Sequence, residues 1–501
     1  MSSPNNNDSS PARSTPPVRP PYVWLVPAIL IAVTLVRLWV CSSFELIGDE
    51  AYYWRWSKHL DWCYYSKGPL VAWAIYLGTL LLGDSAIGVR LLSILLGTGT
   101  LLLLYRLTIQ LFSRRIAFWT LILALCTPLF VIGGLLMTID PLFIFFWMAS
   151  ASLFWKAKNS DRLGPWLLTG ALIGLGMLAK YTNVALLPSF ALFLLWSSPH
   201  RHHLRRPSFW LMCLTALAFL TPVLWWNARH DWITFVHLQE RGALDQSWHV
   251  SPSEFLAYLV GQLAAYSPFF VVGVLHSMLS RRVRRQAPVA YRFLVSLMLP
   301  LLVLYTVLAL NDEGEANWTA AAMMSGLPLI AACWLPLYDK NRWARITTRL
   351  ALSASGIAAS ILLLAPAVTV PRVEALLYRI RGWDDLATQV ERYQTEKDLS
   401  FIIGRDYQSA SLMSFYMTGH PRTYIPNHEG IENQYSFWPT YGMEQTGQDA
   451  LYVSRDAHPT ATLRAQFERI DPPLKVWSHW RGRRVRTFYL FACRRLRNGA
   501  H

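Results

Sequence analysis

The stretch Gly48-Asp49-Glu50-Ala51-Tyr52-Tyr53-Trp54-Arg55-Trp56 sets two adjacent carboxylates directly ahead of a belt of aromatic side chains. A carboxylate held in place can take the proton of an attacking hydroxyl or amine. Asp49 can equally cap a short helix, and Tyr and Trp gather at membrane surfaces without any chemistry. Both readings stand on the residues alone. The chain continues through His59-Leu60-Asp61-Trp62 to Tyr64-Tyr65-Ser66-Lys67-Gly68-Pro69-Leu70. Lys67, beside a Gly-Pro turn, is placed to meet a lipid headgroup phosphate, or simply to snorkel to the interface. Asp140-Pro141 reads as an N-cap followed by a first-turn proline. An acid beside hydrocarbon is also a functional candidate in its own right. Lys180-Tyr181 and Arg241 are further candidates. Asn311-Asp312-Glu313-Gly314-Glu315 reads as a solvated turn and helix cap ahead of any metal site, because three acids on one loop are a weak cation signal.

These residues hang on a chain built for a bilayer. Of 501 residues, 53% are hydrophobic and only 15% charged, with a net charge of +16. Average soluble domains carry about 25% charged residues. The basic residues cluster between apolar runs, the pattern of membrane topology and not of phosphate-backbone tracking, which excludes a nucleic-acid partner. Six scattered cysteines show no CxxC pair and no Cys/His metal spacing, which removes a disulfide scaffold and a zinc module. Apolar runs predict about eleven crossings: 22–41, 86–112, 116–137, 141–156, 164–179, 182–197, 208–226, 255–279, 289–310, 318–336 and 350–370. Residues 1–20, rich in Ser, Pro and Asn, are expected to be a disordered tail.

Arg114-Arg115, Lys156/Lys158/Arg162, Arg201/Arg205/Arg206, Arg281-Arg282/Arg284-Arg285 and Lys340/Arg342/Arg345/Arg349 all fall in alternate loops. The positive-inside rule makes those loops cytoplasmic, so the amino terminus is expected inside and residues 371–501 outside. His200, His202 and His203 belong to the same basic signal. The first outer loop, 42–85, ends in an apolar run too short to span comfortably and is expected to hold interfacial helices. The tail alternates helix-like stretches (383–397, 409–417) with β-rich ones (400–403, 451–454, 485–492). The expected fold is mainly α: a polytopic helical bundle over 21–370 carrying a small extracytoplasmic α/β domain over 371–501.

At these residues the chain resembles a bacterial family 39-type glycosyltransferase of the C superfamily, related to protein O-mannosyltransferases and to lipid A aminoarabinose and galacturonic acid transferases. The resemblance runs along nearly the whole chain after the tail. It is carried by Asp49-Glu50-Ala51, Lys67-Gly68-Pro69-Leu70, Thr138-Ile139-Asp140-Pro141-Leu142 with Phe145-Phe146-Trp147, Leu178-Ala179-Lys180-Tyr181-Thr182, Trp225-Trp226-Asn227, Ala316-Asn317-Trp318 and Gly382-Trp383. Tyr407-Gln408 to Phe415-Tyr416, and Asn433-Gln434-Tyr435 to Trp438, resemble the subset with a soluble outer domain. Each motif is weak; their order along a matched topology is strong. Such relatives often carry an arginine shortly after the Asp-Glu pair, where this chain has Tyr52 and Tyr53, and two prolines after the lysine, where Gly68 takes the first place.

The resemblance implies a bacterial inner-membrane enzyme moving a sugar from a polyprenyl-phosphate donor to a lipid, glycan or protein acceptor outside the cytoplasm. It makes Asp49 the catalytic base, Glu50 its neighbour, Asp140 a second acid at the donor cleft, and Lys67 the donor-phosphate contact with Arg241 and Arg55 as partners. Tyr52, Tyr53, His59, Lys180 and Tyr181 are expected along the substrate cleft. No nucleotide diphosphate leaves, so no cofactor is demanded, although some relatives bind a divalent metal. Besides the sugar donor and acceptor, the expected partners are membrane lipids. Two other classes share the composition: a polytopic lipid or solute transporter, and a non-catalytic scaffold for envelope assembly. Transporters tend to show internal repeats with broken helices at mid-bilayer; no repeat is visible here.

Overall fold

A computed structural model describes residues 22–498 apart from 246, 312–313, 368–376, 378–379 and 427–430. The expected disordered tail, the junction at 370–371 and two acids of the 311–315 loop lie outside the described residues. Apolar runs become helices wherever a capping residue punctuates them. The first helix, α1, covers Tyr22–Cys41, followed by α2 (Gly48–Ser57), α3 (Leu70–Leu82) and α4 (Ala86–Leu111). Ser85 accepts from the Gly88 backbone N–H at 3.0 Å to start α4, and Ser113 does the same for Arg114–Leu125. As expected from its length, α3 is a short apolar helix in the first loop.

Helices occupy all eleven expected positions, yet among the described residues six are long and apolar enough to cross a membrane. The expected span 255–279 would make a seventh, but it is broken. Pro252–Tyr266 and Pro268–Leu279 meet at 100°. Pro268 offers no N–H and forces the preceding residue out of helical geometry, and Ser267 sits at φ 74°. The remaining four are shorter or less apolar helices within 114–196. Rings from these helices, Trp147, Phe154, Phe190 and Phe193, pack with Phe293 of Pro288–Leu308 in the bundle core.

The C-terminal part is the expected α/β unit. Its strands are β1 (Phe401–Gly404), β2 (Thr423–Tyr424), β3 (Ala450–Ser454), β4 (Phe467–Ile470), β5 (Leu474–Trp480) and β6 (Arg483–Leu496). They run in the order β2-β1-β3-β6-β4, with β5 also paired to β6. β1 is parallel to both neighbours, with Ile402 opposite Thr423 on one side and Leu451 on the other. Its four residues are all buried, as in strands covered on both faces. Arg481 and Gly482, both at positive φ, make the two-residue turn between β5 and β6.

A second hydrophobic core decides where the site lies. Trp54, Trp56 and Tyr64 of the first loop and Val71 and Ile75 of α3 pack in one cluster with Leu412, Phe415, Val453 and Phe488 of the α/β unit. The first loop is therefore sandwiched between bundle and sheet, and its polar residues are fixed by both.

Candidate active site

The Asp-Glu pair divides its work. Glu50 is fully buried and paired with fully buried Arg90 of α4, at 2.8 Å from Nε to Oε1 and 2.5 Å from Nη2 to Oε2. Glu50 also accepts from the backbone N–H groups of Met137 at 2.9 Å and Ile47 at 3.1 Å. The remaining Arg90 donors hold the carbonyls of Cys41, Phe44 and Glu45. A carboxylate so saturated holds structure, and the capping role considered for Asp49 falls to Glu50. Asp49, one residue earlier, is only half-buried. Its Oδ1 accepts from Nε2 of Gln408, on the helix Tyr407–Tyr416, at 3.0 Å. The Gln408 side chain lies so close that a Cβ on residue 48 would stand 2.7 Å from it, which explains Gly48.

Asp140 lies in the first turn of Ile139–Ala157. Thr138, not Asp140, is the N-cap: its hydroxyl accepts from the Asp140 N–H at 3.3 Å. The Asp140 carboxylate is thereby left for side chains. Lys180 donates to Oδ1 at 2.8 Å and Asn317 to Oδ2 at 2.6 Å. The Lys180 and Asp140 side chains are 11% and 14% exposed, so this pair is shielded where surface pairs are not. Lys67 stands among all these charges. Burial pushes its amine down to about 8, the like charges of Lys180 and Arg241 push the same way, and Asp140 and Asp49 pull against them. The Lys67 turn needs Gly68, because a Cβ there would fall 2.2 Å from the Leu178 carbonyl oxygen. Arg241 pairs with Glu315 at 2.6 Å, both about half exposed. His237, held down to about 4 by burial and then by Lys67 and Arg241, is neutral beside them.

Tyr53 is buried between the two acids: burial raises its phenol well above the ordinary value, and both Asp49 and Asp140 add to that. Tyr52 instead docks the α/β unit. Its hydroxyl accepts from the Gln434 N–H at 2.7 Å and its ring lies 4.4 Å from Tyr407. Tyr181 supports the loop from below, its hydroxyl 3.3 Å from the Cys63 sulfur. Arg55 and His59 are not brought to the charged group. Both face Trp438, with the guanidinium 5.9 Å above that ring and the imidazole 4.9 Å from it. Helix geometry explains this for Arg55: six residues beyond Asp49, it emerges about 120° around α2 from it. A divalent ion does not fit these residues. Glu50 and Asp140 are both taken by cations and amides, and among the described residues no three His, Cys, Asp or Glu side chains converge.

Sequence reasoning missed four residues here. Arg90 had a signal, an arginine inside an apolar run, which asks for a partner. His237 had none beyond its type. Gln408 contributed to a motif without a role of its own. Glu45, whose carboxylate accepts from the Trp383 N–H at 2.6 Å, ties the first loop to the α/β unit.

Comparison with known proteins agrees with this architecture. Residues 66–226 match the family described as dolichyl-phosphate-mannose-protein mannosyltransferase. The chain is 28% identical over 385 residues to the lipid A galacturonosyltransferase of Rhizobium johnstonii, covering 75% of this chain and 79% of that one. It is 30% identical over 307 residues to the undecaprenyl phosphate-alpha-4-amino-4-deoxy-L-arabinose arabinosyl transferase of Pseudomonas aeruginosa strain UCBPP-PA14, where it spans about half of that protein (53%). Among solved structures, ArnT from Cupriavidus metallidurans in the apo state superposes with a TM-score of 0.61 at 16% identity, covering 94% of this chain and 97% of ArnT. The Archaeoglobus fulgidus oligosaccharyltransferase tethered with an acceptor peptide gives 0.52 at 14% identity over 86% of this chain and 69% of its own. The membrane bundle with its smaller C-terminal α/β unit is the fold this chain shares with ArnT. Over residues 66–226 by the family match, and along most of its length by relatives and fold, the chain is similar to the family 39-type glycosyltransferases of the C superfamily.

Proposed function

We propose that this enzyme transfers a sugar from a polyprenyl-phosphate donor to a lipid A-type acceptor on the extracytoplasmic face, with Asp49 as the base. The observation that carries the reading is Lys67, a half-buried cation that feels Asp49 and Asp140 as well as Lys180 and Arg241. A site with that charge set suits a phosphate leaving group beside a proton acceptor. The named relatives act on undecaprenyl-phosphate sugars or on lipid A, and one solved ArnT is described as bound to undecaprenyl phosphate. An apolar cavity of about 360 Å³ begins at Asp140 and Asn317 and continues along Leu101, Phe130 and Ile144, a lining suited to a polyprenyl chain.

The acceptor oxygen or nitrogen attacks the anomeric carbon and passes its proton to Asp49, while the bond from that carbon to the phosphate oxygen breaks. Polyprenyl phosphate departs with the electron pair, and the charge gathering on it is met by Lys67. Arg241 joins by leaving Glu315, an exposed pair that costs little to open. One displacement inverts the anomeric configuration. Glu50 is too enclosed to touch a substrate and serves by holding α2 in place; Asp140 fixes Lys180 at the donor side. The positive-inside distribution of Arg and Lys supports the extracytoplasmic assignment of this end of the bundle.

The test is comparative mass spectrometry of envelope glycolipids and polyprenyl-phosphate sugars in a deletion strain, its wild-type complement and an Asp49→Asn complement at equal expression. The deletion and Asp49→Asn strains should both lack one sugar on lipid A while its polyprenyl donor accumulates. A wild-type profile from Asp49→Asn removes Asp49 as base.

A further inference from the structure

The sheet of the α/β unit holds a crevice that the transfer step does not itself require. From β1 the chain leaves through the helix Tyr407–Tyr416 to β2 on one side, then returns to β3 on the other. Connections that depart in opposite directions open a crevice at the carboxyl ends of the two strands, and parallel α/β sheets take their ligands there. In this protein the crevice is a cleft of about 600 Å³. Arg405 and Arg455, the residues that follow β1 and β3, line it, and Gly48 and Asp49 of α2 line it from the bundle side. The cleft thus joins the ligand-binding edge of a sheet to the residue proposed as base.

The charges in it are unequal in availability. Asp406 is committed to the start of its helix, accepting from the Ser409 N–H and hydroxyl, each at 2.8 Å. Arg405 pairs with Asp456 at 3.2 Å, but the two side chains are 44% and 60% exposed, and such pairs exchange partners readily. Arg455 forms no ion pair among the described residues; its guanidinium stands 6.0 Å over the Phe488 ring. Two guanidinium forks at one cleft mouth suit an oxyanion, since each can give paired hydrogen bonds to phosphate or carboxylate.

We infer that this cleft binds the saccharide headgroup of the acceptor through a phosphate or carboxylate held by Arg405 and Arg455, and presents its nucleophile to Asp49. The inference rests on the transferase reading above and adds to it a second, acceptor-side site, across Asp49 from the Lys67 group.

The test uses the full-length protein in lipid nanodiscs with two probes: undecaprenyl phosphate, and lipid A extracted from a strain lacking the gene, with its phosphates intact or removed by phosphatase. Arg405→Gln/Arg455→Gln should weaken binding of intact lipid A by about tenfold or more, as loss of charge-assisted bonds requires. Arg405→Lys/Arg455→Lys should fall between the wild type and the glutamine variant, because charge is kept while the paired hydrogen bonds of the fork are lost. Both variants should bind undecaprenyl phosphate as the wild type does. Weaker wild-type binding of phosphatase-treated lipid A identifies the phosphate as the recognised group, and unchanged binding identifies a carboxylate. The proposal is overturned if the glutamine variant binds lipid A like the wild type, or if wild-type protein binds undecaprenyl phosphate but no lipid A. Wild-type protein that binds neither probe overturns the transferase reading itself, a separable result.

Discussion

Glu50 and Arg90 meet at 2.5 Å with neither side chain exposed, one residue along from the proposed base. The pair carries the first loop on α4: Arg90 holds three carbonyls of residues 41–45 and Glu50 holds two backbone N–H groups. Breaking it leaves a buried charge with no counterpart, which in proteins costs about 3–5 kcal/mol. Glu50→Gln and Arg90→Gln should therefore each lower the unfolding temperature of the purified protein. Equal unfolding temperatures would show that the pair does not anchor the loop.

Asp49→Asn should keep the fold and the donor site while losing about 10²-fold or more in turnover, the scale of a positioned general base. Undecaprenyl phosphate binding, measured alongside, should stay near wild type. A turnover loss that tracks weaker donor binding would move Asp49 out of the proton-transfer step.

Gln408 and Gly48 should behave as one unit. Gln408→Ala removes the 3.0 Å bond to Asp49, and Gly48→Ala places a methyl 2.7 Å from the Gln408 side chain. Each change should lower kcat by about tenfold, the worth of a hydrogen bond to a charged group. Gln408→Gly, unlike Gln408→Ala, also removes the Cβ that the methyl would meet, so Gly48→Ala should add no further loss to Gln408→Gly, since coupled sites are non-additive. Independent, multiplying losses would show that Gly48 acts through something other than Gln408.

Donor affinity should fall in alkaline solution. The free Lys67 amine sits at about 8, and an anionic phosphate beside it raises that value on binding. Protonated Lys67 is then the binding form, so affinity is full below about pH 8 and falls by up to about tenfold per unit above it, until the bound-state value is passed. Lys67→Arg should flatten undecaprenyl phosphate binding between about pH 7 and 9, because arginine stays charged throughout. A wild-type profile that is already flat there would separate Lys67 from the phosphate.

The bundle was legible because apolar runs and basic loops are one-dimensional signals: α1, α3 and α4 lie where their runs lie. The break at Ser267 was missed because the apolar pattern runs through it and only Pro268 marks the corner. The acids and Lys67 were singled out by their types, but the partners that two of the acids hold come from distant parts of the chain. Arg90 takes Glu50 across 40 positions and Asn317 reaches Asp140 across 177. Arg55 failed for the opposite reason: close to Asp49 in sequence, it emerges about 120° around the helix from it. Gly68 looked like a departure from the usual double proline, and its reason is the Leu178 carbonyl in another helix, which no local pattern records.

Glu45 holds the backbone of Trp383, Gln408 holds Asp49, and Gln434 donates its N–H to the Tyr52 hydroxyl and accepts from the Tyr65 N–H. These stitches make the C-terminal unit a poor interchangeable module. A chimera that exchanged residues 381–498 for a relative's counterpart would inherit new acceptor contacts and lose the props of the proposed base in the same cut. Grafts meant to alter acceptor range therefore need residues 45–65 to travel with the sheet, as one cassette drawn from two distant stretches of the gene.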